Sequence, residues 1–158
     1  YDARIQAIGA ANNLATLTNA SITNLRKIEE FESNNSTDQA LALLSFEVSQ
    51  KQEKQKAATL LATNLETMAQ VATTIGSGRL RGKAIEAITT GISMVSRIVS
   101  YNSSLDQLFA AIEQKIGSGA PPAGVNIRAL IASINSDAQA INDLNATFNK
   151  TLKEFDNS

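Results

Sequence analysis

Three observations predict an all-α protein, an antiparallel up-down-up-down bundle of four long helices. Apolar residues recur at steps of three and four along most of the chain, and no stretch alternates in the way a strand does. Three clusters of turn residues, at 33–38, 76–82 and 117–122, divide the chain into four segments. The connections are short, which favours antiparallel neighbours. A chain of 158 residues needs one core, so residues 1–158 are expected to form a single domain.

The first helix is marked by Ile5, Ile8, Leu14, Leu17, Ile22, Leu25 and Ile28. Residues 5 to 25 carry no charged side chain and use Asn, Thr, Gln and Ser as their polar face, so this helix depends on its neighbours. Ser36 with Gln39 reads as a capping box that opens the second helix. That helix runs through Leu41, Leu44 and Val48 to Leu61, Leu65, Met68, Ala72 and Ile75, and Gly76-Ser77-Gly78 should end it through a left-handed glycine. The third helix carries Ile85, Ile88, Ile92, Val95 and Val99, then shifts phase at Tyr101-Asn102-Ser103-Ser104 and resumes as Leu105, Leu108, Ile112 and Ile116. Gly117-Ser118-Gly119-Ala120-Pro121-Pro122 stops it. Asn126 is the expected N-cap of the fourth helix, whose stripe Ile127, Ile131, Ile134, Ala138, Ile141, Asn145, Phe148, Leu152 and Phe155 is the clearest in the chain. At 1.5 Å per residue the middle helices come to about 50 to 60 Å and the outer pair to about 45 Å, so the middle hairpin should project.

Composition narrows function. Lys and Arg number 14 against 15 Asp and Glu, which leaves no basic excess for nucleic acid. Cysteine and histidine are both absent, which removes thiolate chemistry, the commonest general base and the commonest transition-metal ligand. Glu29, Glu30 and Glu32 crowd one helix end, but di-iron carboxylate bundles need Glu-x-x-His pairs that this chain lacks. No serine is followed by lysine three residues later. The expectation is a non-enzymatic protein with no catalytic residues, no metal site and no cofactor. The chain begins at Tyr1, not Met, and we expect an N-terminal segment to have been removed. No run of about 18 apolar residues exists, so contact with a membrane would come through a missing flanking segment or anchor. Asn-x-Ser/Thr acceptors at Asn19, Asn34, Asn35, Asn102, Asn145 and Asn149 are at the level chance produces in a chain rich in these residues.

Two groups of residues are candidate sites. Residues 76–83, Gly-Ser-Gly-Arg-Leu-Arg-Gly-Lys, superficially suggest a phosphate loop. However, Ser77 and Ala84 stand where a Walker loop needs glycine and a hydroxyl, and a helix precedes. The basic tip Arg79, Arg81 and Lys83 is a candidate contact for an anionic lipid or acidic surface, beside its plainer reading as a hairpin turn. Counting outward from the turns places the polar stretch at Gln52 opposite Asn102 and Ser103, and brings Asn19, Thr23, Gln139 and Asn142 near the same level. These seven residues are expected to form one polar layer at mid-rod, either a register-setting layer or a pocket for a small polar ligand.

The pattern resembles extracytoplasmic helical bundles in general, among them bacterial sensor domains and the helical subunits of secretion and conjugation systems, and it carries no motif diagnostic of either. That resemblance, with the charge-poor helices, implies a surface, periplasmic or secreted protein acting through a protein partner or self-association. Helix one and the projecting hairpin are the expected contact faces. The alternatives are a four-helix ligand-binding sensor domain and a helical carrier of lipid or another small molecule.

Overall fold

The computed structural model describes residues 2–158; Tyr1 lies outside the described residues. Five helices form four arms. They are α1 (Asp2–Ser33), α2 (Thr37–Ser49), α3 (Lys51–Ala72), α4 (Gly78–Ser118) and α5 (Ile127–Asp156), with α2 and α3 together making the second arm. Each arm packs on its neighbours in the chain, and α1 against α5 closes the ring. This is the expected up-down-up-down four-helix bundle.

The ends are pinned by charge. Arg4 pairs with Asp156 and Lys83 with Glu154 at the end that holds the α3–α4 turn, while Lys115 pairs with Glu32 at 2.9 Å at the other. The hairpin overhangs only slightly, because Ala3 and Phe155 line the same end pocket as Ile75. Asn126 caps α5 by accepting from the Ala129 amide at 3.0 Å, and Gly119 ends α4 with a left-handed φ of 81°. Gly76 and Gly78 do not take the left-handed conformation; Gly78 starts α4, capped by the Ser77 side chain. Ser36 makes no capping hydrogen bond, so the expected box is not formed.

The core corrects the reading of the middle helices. α5 buries Ile131, Ile134, Ala138, Ile141, Phe148 and Leu152, as its stripe requires. α4, by contrast, faces inward with Ala84, Ala87, Gly91, Met94, Ile98, Tyr101, Leu105, Leu108 and Ile112, one stripe without a phase shift. Ile85, Ile92 and Val99 point outward at 53%, 57% and 58% exposure. The helix has two apolar stripes, and following the bulkier residues first selects the outward one. The second arm also departs from a single helix, since it is broken at Gln50.

Candidate functional site

The break at Gln50 arises where residues 49–56 offer no apolar side chain to hold a regular turn on the core. The Gln50 amide bonds to both the Phe46 carbonyl (3.2 Å) and the Glu47 carbonyl (3.1 Å), and the next bond, from the Lys54 amide to the Gln50 carbonyl, stretches to 3.4 Å. One turn is thus tightened toward 3₁₀ geometry. On either side of it, Glu47 closes α2 and Lys54 opens α3, both turned inward.

Glu47 and Lys54 are each 1% exposed, and the Nζ lies 3.8 Å from Oε2. Asn24 of α1 donates to Glu47 Oε1 at 2.6 Å, whereas Oε2 has no hydrogen-bond partner among the described residues. The Lys54 ammonium sits 5.5 Å from the centroid of the Tyr101 ring, so an aromatic face shares in stabilising the charge. Burial pushes the Lys54 ammonium below its ordinary range, and Glu47 acts against that shift. Burial also pushes the Tyr101 phenol up to about 12, with the Ser21 hydroxyl opposing and Glu47 adding to the rise. The phenol oxygen itself makes no hydrogen bond of good geometry. Thr18 and Ser21 line the same helix of the core and satisfy themselves on the carbonyls of Leu14 and Leu17. One turn away Asn102 donates to Gln55 at 3.3 Å, and its own Oδ1 has no partner among the described residues.

A polar layer therefore exists at mid-rod, but its members differ from the expected set. Of the seven residues, only Asn102 is buried. Asn142 is half-buried and donates to the Ala138 carbonyl at 3.2 Å. Asn19, Thr23, Gln52, Ser103 and Gln139 are exposed. Counting residues from the turns found the level, which depends on rise alone, and missed the angle, which depends on which side faces the core. The signal was present in the apolar stripes. Three residues on from Leu44 is Glu47, and seven back from Leu61 is Lys54.

The basic tip is largely occupied within the fold. Arg81 places its Nε 3.0 Å from the Ile75 carbonyl and so caps the end of α3. Lys83 bonds to Glu154 at 2.7 Å and to Glu86 at 3.2 Å; these bonds hold its ammonium above the usual range and the Glu154 carboxyl below it. Arg79 is exposed.

A second feature was misassigned from sequence. The outward stripe Ile85, Ile92 and Val99 of α4 runs beside a groove floored by small residues of α3, among them Ala58, Ala62, Ala69 and Ala72. Three open depressions of about 270, 280 and 230 Å³ follow one another along this seam. They do not reach Glu47 or Lys54. The face is also poor in charge, since Glu66 is the only charged residue from Ala57 to Gly78 and Arg97 the only one from Ala87 to Leu105. On α1 the exposed face, apart from Ile5, is instead mostly polar: Asn12 accepts from Asn145 and Asn149 at 3.0 Å each, in an amide ladder between α1 and α5.

The fold thus defines an all-α four-helix bundle with a buried charged joint in its second arm and an apolar outward face on its middle hairpin. Set against known protein families, curated proteins and solved structures, the chain matches none of them.

Proposed function

We propose that this chain is a non-enzymatic helical-bundle protein that works by protein–protein contact in an extracytoplasmic setting, at a cell surface, in a periplasm or as part of a secretion apparatus. The observation that carries the reading is the α3–α4 face, where three β-branched side chains more than half exposed lie in one row beside a small-residue groove. Single exposed apolar residues are ordinary, but an aligned row on a charge-poor face marks a contact site. The polar layer acts as a register-setting core element, because Glu47, Lys54 and Asn102 are all buried within the bundle. The absence of cysteine and histidine supports the non-enzymatic part of the reading.

Immobilised wild-type protein and its Ile92→Glu variant, challenged with the extracytoplasmic fraction of the native source, test the proposal. The wild type should retain a defined protein that the variant does not. Equal retention by both would count against the face. A thermal shift produced by an amino acid, sugar or organic acid and lost in Asn102→Leu would replace the reading with that of a solute sensor.

A further inference from the structure

We infer that the occupant of the α3–α4 face is a second copy of this chain, laid parallel to the first so that the α4 ridge of each copy seats in the α3 groove of the other. The inference rests on the contact reading above and names the partner.

Register across the seam comes from two contacts, Asn102 with Gln55 and Lys51 with Asp106. Counting ten residues from the first pair sets Ile92 level with Leu65, between Ala62 and Ala69. Ile85, Ile92 and Val99 repeat every seven residues, and so do Ala62 and Ala69 on the neighbouring helix. A seven-residue row of β-branched knobs needs a row of holes at the same spacing. Here ridge and groove stand side by side on one surface. A two-fold axis along the rod exchanges left and right but keeps the level, so it carries each ridge onto the other copy's alanines. An unrelated helix would fill the groove and leave the ridge bare, whereas a second copy covers both.

Charge and area agree with a second copy. From Ala57 to Gly78 and from Ala87 to Leu105 the only charged residues are Glu66 and Arg97, and the α4 end of the face adds Arg81, Lys83 and Glu86, with Lys83 paired to Glu86 and Glu154. Neither sign dominates, so neither a basic nor an acidic partner is selected, and two copies meet without a row of like charges. From Arg81 to Val99 the seam is about 27 Å long and two helices wide, which buries about 1,100 Å² over both copies, just above the lower bound for a specific interface. Such a dimer dissociates on dilution.

Sedimentation velocity over about 10 µM to 1 mM reads the association. The wild type should move from monomer toward dimer across that range, and Ile92→Glu should stay monomeric with unchanged helicity, because that side chain is more than half exposed. The chain has no cysteine, so single introduced thiols report geometry without background. An equimolar mixture of Ile92→Cys and Ala62→Cys proteins should give more mixed disulfide than either homodisulfide. Preferential Ile92→Cys homodisulfide would overturn the parallel arrangement. A wild type that remains monomeric at every concentration would overturn the second copy as occupant. If that monomer still retains a foreign protein through Ile92, the contact reading stands alone; if it retains nothing, both fall.

Discussion

Removing one partner of the Glu47–Lys54 pair should be far more harmful than removing both. The charges lie 3.8 Å apart, and at an effective dielectric near 20 their attraction is about 4 kcal/mol. Desolvation of the two ions is of similar size, so the pair taken whole is close to neutral. Glu47→Gln removes the attraction and leaves the buried ammonium with only the Tyr101 ring, at a cost of about 3 to 5 kcal/mol. Lys54→Met leaves a buried carboxylate held by one Asn24 bond and should cost about the same. The double variant Glu47→Gln/Lys54→Met leaves no buried charge and nearly conserves volume, so it should lie within about 2 kcal/mol of wild type. Urea unfolding followed by circular dichroism gives the three free energies and the coupling between the sites. Singles that each cost under about 1 kcal/mol and add without coupling would show that the pair is solvated, which would refute the buried joint.

Gly91→Ala should destabilise by about 1 to 3 kcal/mol despite alanine's better helix propensity, because a Cβ there would lie 2.6 Å from Cδ2 of the buried Leu65; thermal melting checks it, and a rise in Tm would mean that Leu65 can move aside. In a Tyr1→Phe background, Tyr101 should be the only phenol seen in an alkaline absorbance titration and should ionise near 12, or abruptly when the bundle unfolds. Its raised folded-state pKa contributes stability that is fully present below pH 10 and is lost as pH rises from about 10 toward 12, by about 1.4 kcal/mol per unit. The lowered ammonium of Lys54 acts oppositely and adds stability as pH approaches 10.5. Ionisation of Tyr101 near 10 with the fold intact would contradict its burial.

How far the residues disclosed the structure depended on whether a helix has one apolar stripe or two. α5 has one, and its Ile131, Ile134, Ile141 and Phe148 positions and its Asn126 cap could be read directly. α4 has two, and its inward stripe includes Ala84, Ala87 and Gly91, whose small side chains weigh little in a pattern but allow α3 to approach closely. The larger Ile85, Ile92 and Val99 dominate the same window, and this produced an apparent phase shift at Asn102. The polar layer was legible in level but not in membership, since Glu47 and Lys54 are charged and are normally assigned to solvent. Only their place on the stripes of Leu44 and Leu61 betrays them. Glycine in a turn proved ambiguous for a similar reason. Gly119 takes a left-handed φ because α4 runs straight into the loop, whereas α3 unwinds at Thr73–Thr74 before it reaches Gly76.

The claim that the middle hairpin is the working surface is tested most directly by site-specific photocrosslinking in the native source, with benzoylphenylalanine placed at Ile92 of α4 or at Asn13 of α1, which is also exposed. Both substitutions leave the core intact. The account predicts a discrete adduct, with a second copy or with another protein, from position 92 and none from position 13. An adduct from position 13 alone would place the contact on the α1 face and contradict it.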